Sequence, residues 1–239
     1  MEEDNHQHME KVSSLFDQFM SREVSQHHGF RFYERILNRY KSERYYSVFS
    51  ARFDQLELEQ KEKQASFDLN NPALIRAFHS LLEFFLVMYC QDLLPFPLSD
   101  RNLRYEGLAP EDIDLQAMAV DYIYLNELDE DIYFNLIDVE FDRLKNASEQ
   151  FLHMTEEEYF LFMIDLSISG NLKHGFALTD KKLYMKAPLQ QAFSIDLMNI
   201  REMKMQEQWL IIDGRYVNVN PAFNFRLKHY IQKLVLVQI

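Results

Sequence analysis

The chain is poor in the residues that staple, break or loosen a fold. It has a single cysteine, Cys90, so no disulfide forms within it, and the neighbouring apolar run Phe84 to Tyr89 makes a buried thiol in a reducing compartment the expected state. Only five glycines and six prolines occur in 239 residues, with 26% charged residues and no low-complexity tract, which argues against a disordered or repeat protein. Long apolar runs are missing as well: Glu83 and Asp92 interrupt Leu81 to Leu94, short of the roughly 18 uncharged residues of a membrane span. The start, MEEDNHQHMEK, lacks the basic end and apolar core of a signal peptide, so the expected location is the cytoplasm, or outside by a route without an N-terminal signal. No Gly-rich phosphate loop, Gly-x-Ser-x-Gly elbow or Cys/His/Asn constellation is present, so a non-enzymatic role without a cofactor is expected.

What the chain does have is core material and acid. Its residues are 47% hydrophobic, with 20 Phe and 13 Tyr, enough for one large domain or two modest ones. The net charge of −13 is uneven: residues 170–239 hold ten Lys+Arg against five Asp+Glu, and residues 1–169 hold 15 against 33. Such an acidic front half repels phosphates and speaks against a nucleic-acid partner.

Residues 1–154 read as an acidic helical domain. Val12, Leu15, Phe16, Phe19 and Met20 fall at helical spacing before the His27-His28-Gly29 break, and a longer helix is expected over about 30–63. Asn71-Pro72 is a cap followed by the preferred first helical residue and opens a helix to about Asp92, apolar on every side from Phe84 to Tyr89. Pro95 to Gly107 reads as an irregular connection. Two further helices are expected over about 110–127 and 130–152, the second with Asp129, Glu130 and Asp131 complementing its dipole.

After Thr155 the apolar period changes from 3.6 to 2, and residues 155–239 read as a β domain with a closing helix. A strand is expected from Glu158 to about Ile168, although Thr155 and Glu158 also spell a capping box with room for a helical turn. Ser169-Gly170-Asn171 is turn chemistry, and Phe176–Leu178 and Leu183–Met185 flank the Thr179-Asp180-Lys181 turn. Strands follow at about 192–195, 200–205, 209–212 and 216–219, with Asp213-Gly214 as a hairpin signal. Asn220-Pro221 then opens an amphipathic helix to about Leu236, with Phe223, Leu227, Tyr230, Ile231 and Leu234 on its apolar face. The fold class is therefore α+β, with an N-terminal all-α part and a bent antiparallel sheet or barrel capped by a C-terminal helix.

The Ser-Gly-Asn turn, the block GFALTDKKLYMK, the pair around FSIDLMNI, the hairpin WLIIDGRYVNV and the closing helix together resemble bacterial pleckstrin-homology-like domains of uncharacterised function. The resemblance covers about Glu158 to Leu236 and implies a binding scaffold for lipids, peptides or proteins. In lipid-binding members, basic residues of the first hairpins hold anionic headgroups, which puts Lys173, Lys181, Lys182 and Lys186 forward as an anion site. The plainer readings are solvated lysines, or lysines docked on the acidic helical half.

Other candidates have plainer accounts. Asp129, Glu130, Asp131, Asp138 and Asp142 lack calcium-loop spacing, and Asp138 and Asp142 at i, i+4 are read as solvated. His6, His8, His27 and His28 lack zinc spacing, so no metal is expected, and His174 is read as turn geometry. Trp209 is read as a core anchor or an interface residue; Tyr40, Tyr45 and Tyr46, beside Arg39 and Arg44, as bundle packing or a partner-facing patch. The expected role is interaction with another protein, the alternatives being an anionic-lipid binder at a membrane surface or an immunity-type protein neutralising a basic toxin.

Overall fold

A computed structural model describes residues 12–23, 31–42, 49, 52–56, 58–59 and 68–238. The architecture is α+β: N-terminal helices, antiparallel sheets of five and three strands, and a C-terminal helix. The chain divides into two compact units, residues 1–106 and 107–239.

In the first unit, residues 12–23 form helix α1, α2 spans Arg31–Tyr40 and α3 spans Pro72–Tyr89. The single helix expected over 30–63 is interrupted, because the amide and hydroxyl of Ser42 both donate to the Arg39 carbonyl and close a turn. Residues 49, 52–56 and 58–59 are again helical. Phe16 is the hub of the core, with its ring centroid 5.2–5.9 Å from those of Phe19, Tyr40, Phe49, Phe53 and Phe78. Tyr40 is therefore bundle packing, whereas Arg44, Tyr45, Tyr46 and the four N-terminal histidines lie outside the described residues.

Helix α3 starts as its sequence dictates, with the Asn71 side chain accepting from the Ala73 amide and Pro72 at the first position. Its 18 residues, of mean hydropathy 1.3, are long and apolar enough to cross a membrane by length and composition alone. The helix buries Leu74, Phe78, Leu81, Phe85, Leu86 and Val87, while Met88 is exposed and Arg52 lies over the half-buried Phe84 ring, so it is not apolar-packed on every side. The connection after it is more ordered than expected. Gln91 bridges to both backbone groups of Leu98 across the Pro95 and Pro97 loop, and Ser99 caps a 3-10 helix at Asp100–Tyr105.

The second unit begins well before residue 155. Helix α4 (Leu115–Ile123) starts where Asp114 accepts from the Gln116 and Ala117 amides, so Pro110 opens only a 3-10 turn, and it stops at Tyr124, whose φ is +60°. Helix α5 spans Phe141–Gln150. Asp129 to Asp131 precede not a helix but strand β1 (Ile132–Tyr133), which pairs with β2 (Phe160–Asp165). Gln116 then donates to the carbonyls of Phe134 and Leu161, and the Tyr230 hydroxyl to the Leu115 carbonyl. These bonds make residues 107–154 part of the β unit rather than of the helical one.

Strands β2, β3 (Gly175–Thr179), β4 (Lys182–Lys186) and β5 (Phe193–Asp196) form an antiparallel meander, followed by a second meander of β6 (Met203–Gln206), β7 (Trp209–Ile212) and β8 (Arg215–Val217). The sheet is buried on both sides. Phe162, Phe176 and Phe223 line one face, where helix α6 (Pro221–Gln238) packs, and Met163, Ala177 and Tyr184 meet Val139, Ala147, Phe151 and Leu152 on the other. The hairpin at Asp213-Gly214 has φ of +47° and +77°, the left-handed pair that this dipeptide favours. Strand β2 ends at Asp165 rather than Ile168, because the Asp165 carboxylate turns back to the Ser167 and Leu172 amides and leaves Ile168 exposed.

Candidate functional site

The four lysines do not converge. Lys182, Tyr184 and Lys186 are every second residue of β4, so all three share the face covered by residues 139–158. There Lys182 Nζ lies 3.3 Å from the Glu158 carboxylate and Lys186 donates to the Gln150 side chain. Lys181, in the turn, is half-exposed and 4.0 Å from Glu157; Lys173 is exposed on the β2–β3 loop. Gln150 sits on a helix the sequence assigned to the helical half, but it belongs to the same unit as Lys186.

Glu158 is the most connected polar group of this face. Its buried carboxylate accepts from the Tyr184 hydroxyl (2.8 Å), the Thr179 hydroxyl (2.9 Å) and the Thr155 amide and hydroxyl (both 3.1 Å). Burial would raise its pKa, but the bonds from Tyr184, the Thr155 amide and Thr179 outweigh it and hold the carboxyl below the ordinary range. Tyr184 is pushed up, by burial first and then by the carboxylate it donates to. The Thr155–Glu158 capping box forms a turn, and β2 follows it.

A second cluster pins α5 to the sheet. Arg143 donates to Asp165 (2.9 Å) and Asp131 (3.0 Å) and stacks its guanidinium over Tyr133. Asp138 and Asp142 do not share a helical face, because Asp138 ends a 3-10 turn and Asp142 belongs to α5. Among the described residues, no three His, Cys, Asp or Glu side chains gather as metal ligands. His174 serves its turn through its backbone, exchanging bonds with the Ser167 hydroxyl.

What the sequence reading missed lies just before α5. From Gly107 to Asp142 the chain has eleven Asp+Glu and no Lys or Arg. Within that stretch Ile137 is 87% and Phe141 79% exposed, while Leu136 and Val139 between and beside them turn into the core. Asp138, Glu140 and Asp142 alternate with them and are exposed. A second exposed aromatic site is the outer face of the small sheet, where Trp209 meets Tyr216 edge-on at 6.2 Å over the covered Ile211. Trp209 is thus a half-buried surface residue rather than a core anchor.

Comparison with protein-family models, with curated proteins and with solved structures finds no match. Composition counted over a window shorter than half the chain would have located the uncompensated acidic stretch, but not its two solvent-facing apolar side chains.

Proposed function

We propose that this chain is a non-enzymatic interaction protein in which a pleckstrin-homology-like platform, formed by the two meanders and α6, presents a surface to a protein partner. The observation that carries the reading is the exposure of Ile137 and Phe141, large apolar side chains standing in water among carboxylates. Apolar side chains at these positions contribute nothing to the core and become favourable only when a partner covers them. The order of four meandering strands, three more and a closing helix supports the platform assignment.

The anionic-lipid reading draws less support. Two of its four lysines, Lys182 and Lys186, are engaged by Glu158 and Gln150, which leaves Lys173 and Lys181 for a headgroup. Cross-linking in the native host, followed by capture of the full chain and quantitation, is the test. A protein recovered at fixed stoichiometry supports the reading; recovery of the chain with none, together with salt-sensitive sedimentation on anionic vesicles, transfers the role to lipid.

A further inference from the structure

Resting on that reading, we infer that the partner engages residues 129–142 through an amphipathic cationic helix, with its apolar stripe on Ile137 and Phe141 and its Lys/Arg flanks on the surrounding carboxylates. The two apolar residues are four positions apart in the chain, so the backbone holds their Cα atoms within about 14 Å. That span suits apolar residues one or two helical turns apart on a partner. Ile137 closes on the 3-10 turn Leu136–Asp138 and Phe141 opens α5, so both stand on backbone fixed by Val139 and Ala147 in the core beneath. The surface is preorganised and loses little conformational entropy on binding.

Charge selects the occupant. Exposed Asp138, Glu140 and Asp142 flank the pair in sequence, with Asp129 and Glu130 a few residues before it, and the nearest cation in sequence, Arg143, is turned to Asp131 and Asp165. Like charges repel an acidic partner on approach, a neutral one is not steered at all, and a basic one is steered in. Among the described residues, the C-terminal helix of a second copy does not supply that stripe. That cationic helix, α6, buries Arg226 and Lys228 along with its apolar face.

The test is fluorescence anisotropy of the full chain with a labelled Leu/Lys amphipathic helical peptide of about five turns, beside a scrambled peptide of the same composition. We expect the scrambled peptide, the Ile137→Ser/Phe141→Ser chain and the Asp138→Asn/Glu140→Gln/Asp142→Asn chain each to weaken binding about tenfold or more, the last also flattening the salt dependence. Equal binding of both peptides, or an unchanged Kd in the Ile137→Ser/Phe141→Ser chain, overturns the inference. Should either variant fail to fold, hydroxyl-radical footprinting of the unaltered chain decides: protection of Phe141 by the helical peptide is expected, and its absence is fatal. A chain dimer abolished by Ile137→Ser/Phe141→Ser also overturns it, since the face then belongs to a second copy. A stoichiometric host protein whose cross-links fall away from residues 129–142 removes this placement and leaves the interaction role standing, whereas absence of any such protein removes the role itself.

Discussion

The hydroxyl of Tyr184 on β4 lies 2.8 Å from both carboxylate oxygens of Glu158, joining the turn before β2 to the β3–β4 hairpin. Its own strand position is set by local alternation, but its partner is 26 residues away. Tyr184→Phe keeps the ring in the core and removes one donor from a buried charge, so a loss of about 1.5–3 kcal/mol is expected in urea unfolding at neutral pH. A change under about 0.5 kcal/mol would mean that Thr179, Thr155 and Lys182 satisfy the carboxylate without it.

Glu158 also gives the fold an acid limit. Its folded pKa lies below the unfolded value, so its contribution is fully present above about pH 4.3, where unfolded glutamate titrates, and is lost as pH falls through the folded value. Glu158→Gln is expected to lower stability at pH 7 and to flatten the stability profile on the acid side. Parallel profiles for the two proteins below pH 5 would assign the acid sensitivity elsewhere.

Close approach at Gly175 gives a steric prediction. A Cβ built there would lie 2.5 Å from Phe151 Cζ and 2.9 Å from the Ile164 carbonyl oxygen. Gly175→Ala should cost about 1–3 kcal/mol through overpacking. Adding Phe151→Leu should recover part of it by relieving the ring contact, while the carbonyl contact stays. Simple additivity in the double-mutant cycle would show that the ring is not what the methyl meets.

Cys90 is fully buried, and burial pushes its thiol up to about 12 against the opposing charge of Arg39. Thiolate is the reacting form, so alkylation at pH 7 should be very slow in the native protein and complete in denaturant. Rapid native labelling would place the thiol at an opening segment. Arg39, which donates to the Tyr89 carbonyl at 2.6 Å and pairs with Asp92, closes α3 directly over this residue.

The elements that were legible in the sequence are those whose chemistry is local. Asn71-Pro72, Asp213-Gly214, the alternation of GFALTDKKLYMK and the apolar stripe of α6 each state their structure within a few residues. The stretch 107–154 is different. Its charge and apolar spacing read as two helices, but Asp114 delays the first, the left-handed Tyr124 ends it, and β1 exists only because Ile132 finds Ile164 across the fold. The lysines were legible as a cluster in sequence and not in space, since strand alternation sends Lys182 and Lys186 to the covered face. The exposure of Ile137 and Phe141 was hidden for a related reason: residues 136–141 follow neither a helical nor a strand period, so no pattern tells which of their apolar side chains face in.

The same stretch decides where the second unit begins. Residues 107–239 should unfold as one cooperative body, whereas residues 155–239 alone would lack Val139, Ala147, Phe151 and Leu152 and expose Met163, Ala177 and Tyr184 to water. Each large apolar side chain so lost is worth about 1.5–3 kcal/mol, against a total of about 5–15 kcal/mol for an ordinary domain. The shorter fragment would also leave Gln116 and β1 absent from the edge of β2, with the Leu161 carbonyl and the strand's backbone unpaired. It is therefore expected to bind a hydrophobic dye and to lose a sharp thermal transition, which the longer one keeps. Equal, cooperative transitions in both fragments would return the boundary to residue 155 and show that α5 and β1 are additions to a sheet already stable without them.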